Sequence, residues 1–412
     1  MPDLETPEFL ISKIDELGSP TAYNHYAVGW AWAMDTPYQW TKQVASHWGG
    51  TRNGTIVSWP NGIAARGELR HQFAHVIDVA PTVLEAAGLP HPTFVNGIQQ
   101  APIEGFSMAY AFNDADAKDR HTTQYFEMFG NRGLFHEGWT AVTRHSIPWR
   151  MDLPIPALDE DVWELYGPDD WTQFQNIAAE NPSMLAHLQQ LWLIEATKYH
   201  VLPIDDRRSE RLNSDLAGRP TLIQGKTQLL FGGMGRLTEN SVLNVKNKSH
   251  TVTAEVLVPD GGATGVIIAQ GGEFGGWSLY ANEGVLTYCY NFLGMEQTHV
   301  AASAPLPAGK HQVRMEFAYD GEGLAKGGGI TLFVDGESVG EGRIERSVPM
   351  MFSGDETCDI GEDVGSPVSS EYGPRNNAFN GKVNWVQIDL DGVDQDHLLS
   401  PDERFNLAMA RQ

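Results

Sequence analysis

The period of the apolar positions changes about halfway along the chain. In the first part short β-like runs alternate with helical ones, which predicts an α/β region. Gly54–Trp59 reads as a buried strand, and Ala80–Ala87 as a helix, with Pro81 near its start and Gly88 just past its end. Thr122–Met128 and Trp139–Arg144 are strand candidates of an antiparallel sheet, set apart by Gly130-Asn131-Arg132-Gly133 and Glu137-Gly138. Asn181 and Pro182 make a cap and first turn for a helix whose Leu185, Leu188, Trp192 and Tyr199 share one face, so it should pack on that sheet. Pro203 and the charged stretch 205–211 end it and read as an exposed connection. The domain boundary is placed near residue 220 on these cues, giving domains 1–220 and 221–412.

Beyond the boundary the period is two. Val252, Ala254, Val256 and Val258 alternate with Thr251, Thr253, Glu255 and Leu257, and Gly-rich turns then separate Val266–Ala269, Trp277–Tyr280 and Val285–Tyr290. Val313, Met315, Phe317 and Tyr319 share a face, Ile330–Val334 runs into an Asp335-Gly336 turn, and Val383–Leu390 closes the series. Short strands at this spacing predict an all-β sandwich. Its pattern is similar to concanavalin-like or laminin-G-like sandwiches, and another jelly roll fits it too.

Composition narrows the function classes. At 412 residues, 41% of them hydrophobic, the chain can bury two or three cores without disulfide staples. With 28 Lys plus Arg against 53 Asp plus Glu, the net charge is -25, which disfavours nucleic acid and anionic membrane surfaces as partners. The same field repels anionic substrates at long range, so an anion site needs local positive charge; salt screens the rest beyond about 8 Å. Cys289 and Cys358 lie in strand-like and acidic contexts and read as free buried thiols. No basic stretch with an apolar segment follows Met1-Pro2-Asp3-Leu4-Glu5, and no run of about 18 apolar residues occurs, so neither an export signal nor a membrane span is expected. The compartment stays open.

The chemistry concentrates around Lys42. It precedes the Gly49-Gly50 turn and the apolar run that ends at Trp59-Pro60, so it offers a fixed ammonium for a sulfate or phosphate oxyanion. A lone lysine near a loop is more often simply solvated. Arg52 is expected to brace the turn through carbonyls or a carboxylate. His25 and His47, with Tyr23, Tyr26, Trp30, Trp32, Trp40 and Trp48, either wall a pocket for an aryl group or build core. Glu127, His136 and Glu137 match no metal-site spacing and read as polar hairpin tips. Asp355, Glu356, Asp359, Glu362 and Asp363 form an acidic loop, solvated or calcium-binding. Gly271-Gly272-Glu273-Phe274-Gly275-Gly276 reads as a sheet turn, since no strand-to-helix step with a lysine follows.

Lys42-(x)6-Gly49-Gly50-x-Arg52 followed by a strand ending in Trp59-Pro60, then His75 to Gly88, then Trp163-Glu164-Leu165-Tyr166 leading to Asn176-Ile177-Ala178 and Asn181-Pro182, resembles the second half of the type I sulfatases over roughly residues 20–205. The likeness is greatest to large bacterial arylsulfatases. It implies the C-terminal part of an alkaline-phosphatase-like fold, a small antiparallel sheet plus helix, and a role for Lys42 as both catalytic and substrate-binding residue through contact with the sulfate. The family's nucleophile is a Cys-x-Pro-x-Arg cysteine, or its serine variant, oxidised to formylglycine. Neither cysteine here fits that pattern. The aspartate pair and Asp-Asn pair that hold calcium or magnesium in the complete family enzyme also have no counterpart before Lys42, so this chain is expected to supply no metal ligand. The resemblance implies an arylsulfatase-like hydrolase of sulfate esters, inactive as this chain alone, with a small-molecule or glycan sulfate ester as substrate. It further implies an N-terminal sulfatase segment lying upstream of an internal methionine or encoded separately. Two alternatives stand beside it: a noncatalytic glycan- or protein-binding module derived from a sulfatase, and a phosphate or phosphonate ester hydrolase of the same superfamily.

Overall fold

The computed structural model describes residues 6–19, 26–95, 97–150 and 152–390, which divide into two units, Met1–Arg208 and Ser209–Gln412. The first unit opens with short elements: helices α1 (Pro7–Ser12), α2 (Val28–Asp35), α3 (Trp48–Thr51) and α4 (Val79–Ala87), then the two-residue strands β1 (Phe94–Val95) and β2 (Ile98–Gln99). Helix α4 forms as its Pro and Gly signals predict. Gly88 caps it at φ 65, and Leu89 N–H closes the end on the Leu84 carbonyl at 2.9 Å.

The fixed part of this unit is a four-stranded antiparallel sheet in the order β3 (Thr123–Met128), β4 (Asn131–His136), β5 (Trp139–Thr143) and β6 (Trp163–Tyr166). Its first two hairpins turn on Phe129-Gly130 (φ 56 and 80) and Glu137-Gly138 (φ 46 and 89), both with two central residues at positive φ, the geometry that matches strand twist. Strand β4 corrects the sequence reading, which put Asn131, Arg132 and Gly133 in a turn. Asn131 is drawn inside because its side chain accepts from His145 N–H at 2.9 Å and Ser146 N–H at 3.1 Å. Gly133 lies where a Cβ would stand 2.8 Å from the Ser46 carbonyl, so it is a site of close backbone approach rather than a bend.

Helix α5 (Pro182–Lys198) covers the sheet as its apolar spacing predicts. Leu188, Trp192 and Ala196, one turn apart, are buried against Leu134, Ala141 and Leu165 of the sheet. Each large apolar side chain so buried stabilises by about 1.5–3 kcal/mol. Asn181 stands at the N-cap, but its side chain turns back to the Ile177 carbonyl at 3.3 Å and makes no cap bond.

The expected buried strand at Gly54–Trp59 does not form. Residues 52–59 have no regular secondary structure, Ile56 is 97% exposed, and no parallel strand pair lies beside them among the described residues. A fully buried strand needs sheet neighbours on both sides, and the described chain provides neither. The α/β expectation for this unit is therefore met only in its antiparallel sheet and helices.

The second unit is the predicted sandwich. A five-stranded sheet runs β12 (Glu296–Pro305), β11 (Val285–Phe292), β10 (Gly275–Asn282), β9 (Gly265–Gly272), β16 (Cys358–Ile360). The six-stranded partner runs β15 (Glu337–Ile344), β14 (Gly328–Val334), β13 (Gly309–Tyr319), β8 (His250–Val258), β17 (Lys382–Leu390), β7 (Thr227–Phe231). The alternating Val252, Ala254, Val256 and Val258 of β8 join Ile268, Leu279, Tyr288, Met315 and Val386 in one core between the sheets. Glu283-Gly284, Leu293-Gly294 and Asp335-Gly336 make its tight hairpins, each with both residues at positive φ. Strands β12 and β15 escaped the sequence reading because they are edge strands with mostly exposed or half-exposed residues, so little apolar alternation marks them.

Leu188→Ala is expected to cost about 2–5 kcal/mol in the first unit, because the side chain is wholly buried between α5 and the sheet. Urea unfolding followed separately for the two units should show the loss in the first transition and none in the second.

Candidate functional site

Lys42 stands at the crest of a tight turn and is exposed. The residues around it are not. Thr41, Val44, Ser46 and His47 are buried, and Trp40, two residues before it, and Gln43, directly after it, both adopt left-handed backbone (φ 66 and 79). Left-handed conformations of such side chains cost on the order of 1–3 kcal/mol each and persist only when the surroundings impose them. The Gly49-Gly50 pair is what lets the surroundings close in. A Cβ on Gly49 would lie 2.2 Å from the Trp40 carbonyl oxygen, and one on Gly50 would lie 2.1 Å from that of Val44. Gly49 N–H donates to the Gln39 carbonyl at 3.1 Å, and Val44 N–H to Thr41 at 3.2 Å.

A buried polar network ties this turn to the sheet. Gln173, fully buried and itself at φ 56, accepts Trp48 N–H at 2.8 Å and donates to Thr140 at 3.1 Å, while its carbonyl accepts from Gln39. The Gln39 amide also donates to the Tyr166 hydroxyl at 3.1 Å, and Tyr166 donates to Glu164. His47 bridges Ser46 Oγ at 2.9 Å and Glu164 Oε2 at 3.3 Å, and Asn131 donates to the Gln43 carbonyl at 3.2 Å. The His47 hydrogen bond holds the Glu164 carboxyl below its ordinary value against the opposing effect of burial, and the Tyr166 hydroxyl adds to it. Burial, then the bond to Glu164, pushes the Tyr166 phenol up. In effect, the Trp163-Glu164-Leu165-Tyr166 segment anchors the lysine turn. Its strand alternation was the available signal: Glu164 and Tyr166 share a face.

The other sequence candidates sort cleanly. Arg52 braces, donating to the Trp171 carbonyl at 3.2 Å with its guanidinium 4.4 Å from the Trp48 ring centre. Arg144, exposed, adds a second positive charge beside the turn, 5.0 Å over the Trp40 ring. His47 is an internal tie, while Tyr26, Trp30 and Trp32 are exposed rather than core. Tyr23 and His25 lie outside the described residues. Glu127 accepts Gly130 N–H at 2.8 Å and His136 meets Thr123 at 2.8 Å, both as parts of the first hairpin. Asp78 was missed as a keystone: its carboxylate accepts from His75 N–H, Phe106 N–H and the His121 ring, all within 3.0 Å, and so fastens the start of α4 to the loop and sheet beside it.

In the second unit the acidic loop is engaged internally. Glu356 accepts from Ser366, Asp359 from Arg236 N–H and Thr357, and Asp363 from Val368 N–H and the Tyr372 hydroxyl at 2.6 Å. Burial pushes the Asp363 carboxyl up to about 6. Val368 and Tyr372 pack on Val266, Ala269, Tyr280 and Cys289, so the segment around them covers part of the sheet face turned away from the core. Both thiols are buried, and burial pushes Cys289 up to about 12 and Cys358 higher still, so neither is a ready nucleophile. Among the described residues no group of three His, Cys, Asp or Glu side chains could hold a metal ion. No helix among them is long and apolar enough to cross a membrane.

The sulfatase family model matches residues 15–89, the segment that holds the Lys42 turn and α4. An uncharacterized sulfatase of Schizosaccharomyces pombe is 24% identical over 203 residues, 48% of this chain and 34% of the relative. The chain thus spans about a third of that relative's length. Among solved structures, the CBM40 module of a Ruminococcus gnavus IT-sialidase is similar at a TM-score of 0.30 and 14% identity, over 43% of this chain and 97% of that one. Domains LG4-5 of the mouse laminin α1 chain match at a TM-score of 0.25 and 19% identity, over 41% of this chain and 40% of that one.

Because the Glu164 carboxyl is held below its ordinary value of about 4.5, its contribution to stability is complete above that pH and is lost as pH falls through the folded-state value. Thermal midpoints of the first unit measured from pH 6 to pH 3 should therefore fall more steeply in the parent than in Glu164→Gln, which has no such proton to take up.

Proposed function

We propose, from the match of residues 15–89 to the sulfatase family model, that this chain is part of a sulfuric ester hydrolase in which Lys42 binds the sulfate group and stabilises its charge during transfer. The observation that carries the reading is the Lys42 turn itself: an exposed ammonium on backbone fixed by two left-handed residues, a Gly-Gly close approach and a buried hydrogen-bond network. With the backbone fixed, only the lysine side chain is left to order when charge shifts onto the nonbridging oxygens, which lowers the cost of an electrostatic contribution. Arg52 at the end of the turn and Arg144 beside it add positive charge, offsetting locally the net charge of -25.

Hydrolysis of an aryl or alkyl sulfate breaks a bond to sulfur and releases a phenol or alcohol plus sulfate. In the family the attacking group is a formylglycine hydrate. The thiols of Cys289 and Cys358 are buried strand residues without the Cys-x-Pro-x-Arg pattern, so the nucleophile comes from a polypeptide segment outside the described residues. Lys42 then supplies charge stabilisation and Arg52 the support of the turn. A phosphate or phosphonate ester presents the same oxygens to Lys42, and the charge chemistry of the turn alone does not separate the two.

The test uses this chain together with a sulfatase segment that carries the nucleophile, assayed on sulfate and phosphate esters of one phenol. Sulfate hydrolysis should dominate, and Lys42→Ala should lower kcat/KM about 100-fold, the loss of roughly 3 kcal/mol of transition-state stabilisation. Folding should be unchanged, because Lys42 is exposed. Unaltered kcat/KM in Lys42→Ala rejects the assignment, and dominant phosphate hydrolysis redirects it.

A further inference from the structure

We infer that a cavity at the start of the sandwich unit is a second anion site, one that takes a sugar-sized molecule bearing a single negative charge as a sulfate ester or carboxylate. The inference uses no residue of the lysine turn and stands apart from the hydrolase reading.

Two stretches of chain make the cavity: residues 212–225, which lead into β7, and residues 239–248, which lead on towards β8. Its volume is about 340 Å³, within the range that holds a small ligand. Hydrogen bonds fix both stretches. Asn213 donates to the Pro349 carbonyl at 2.8 Å and accepts from Asn244 at 3.0 Å. Gln228 of β7 donates to the Ser241 carbonyl at 2.9 Å and accepts Leu243 N–H at 2.7 Å. The site is thus shaped before a ligand arrives, which lowers the ordering cost of binding.

Charge in the cavity is unbalanced. Lys246, Lys248 and Arg219 line it against Glu239 and Asp215, leaving one positive charge in excess in a chain whose net charge is -25. Burial lowers the Lys246 pKa, and Glu239, Asp215 and Lys248 all lie close enough to act on it as well. Nor do the carboxylates use up the donors. The Lys246 side chain is 4% exposed, yet its ammonium makes one hydrogen bond, to Glu239, and otherwise packs 5.0 Å from the Phe352 ring centre. Glu239 is itself shared, since its oxygens also accept Phe352 N–H at 3.3 and 3.0 Å. Lys248 reaches Asp215 at 2.5 Å and the Asn244 carbonyl at 3.1 Å, and the exposed Arg219 donates to the Arg211 carbonyl. An ammonium has three N–H donors and a guanidinium five, so each cation keeps donors for a further acceptor. Water can meet those donors, but only an anion also balances the excess charge.

The remaining lining sets the kind of molecule that carries the anion. Val242 and Leu243 supply buried apolar surface, while Ser214 and Asn240 offer a hydroxyl and an amide. That combination suits a pyranose, whose ring face is apolar and whose rim is hydroxylated. A bare inorganic anion would leave most of the volume unfilled.

The test is calorimetric titration of the full chain carrying Lys42→Ala, so that the lysine turn contributes nothing, with glucose 6-sulfate, glucuronate and glucose at up to about 10 mM. At least one charged sugar should bind, about tenfold or more tighter than glucose, and the better of the two identifies the anionic group. Lys248→Met and Arg219→Ala change side chains that solvent already reaches, so the second unit should stay folded by circular dichroism. Each should weaken the binding about tenfold. Equal binding of glucose and the charged sugars, no binding of either charged sugar, or binding undiminished by both substitutions overturns the inference. Sulfate-ester turnover is measured separately, and its loss in Lys42→Ala bears on the hydrolase reading alone.

Discussion

The contact between the Gly49-Gly50 backbone and the carbonyls of Gln39, Trp40 and Val44 is the constraint on which the site depends. No side chain can occupy that gap, since any Cβ would stand within 2.3 Å of a carbonyl oxygen. The approach forces the chain between into a turn with Trp40 and Gln43 in left-handed conformation, and buried Gln173, Gln39, Tyr166, Glu164 and His47 hold it there. Strain of a few kcal/mol is thus offset by a set of hydrogen bonds away from water, each worth about 1 kcal/mol or more. What results is a lysine with an exposed head on an immobile base. Fixing the backbone leaves only the side chain to be ordered against an anion, which lowers the entropy cost of such a contact.

The same unit is unevenly built. From β3 onward sheet and helix bury their apolar faces on one another, and the lysine turn leans on this part through Asn131 and Gly133. Before the sheet, α2, α4 and the 53–58 segment expose theirs. The anchored side and the uncovered side meet at Arg52, the residue that closes the turn. This arrangement places Lys42 at the margin between a well-packed core and a stretch with few buried apolar side chains.

Much of the architecture was legible in the order of residues because local signals agreed with the global fold. Pro81 and Gly88 mark α4, Leu188 and Trp192 mark the covered face of α5, and Val252 to Val258 mark a core strand. The misreadings have physical causes. Asn131 and Gly133 carry turn-forming side chains, yet one is buried for its hydrogen bonds and the other for its missing Cβ, so local propensity pointed the wrong way. Edge strands β12 and β15 show little alternation because solvent reaches much of them. Gly54–Trp59 has the composition of a buried strand, and its partners are what the described chain lacks. At the candidate site, the bracing role of Arg52 was readable from its place just after the Gly-Gly turn. The supporting network was not, because Gln39 lies 134 residues from Gln173 and His47 lies 117 residues from Glu164, and only the fold brings them together.

Hydrogen exchange at the amides of Val44, Trp48 and Gly49 in the chain on its own tests the central claim most directly, since these three donate the bonds that fix the turn. A turn held by its own buried network predicts protection comparable to that of the β3–β6 sheet, together with free exchange at 53–58. Exchange of Val44, Trp48 and Gly49 at the unprotected rate of residues 53–58 would contradict the account, because Lys42 would then have no fixed base from which to meet an anion.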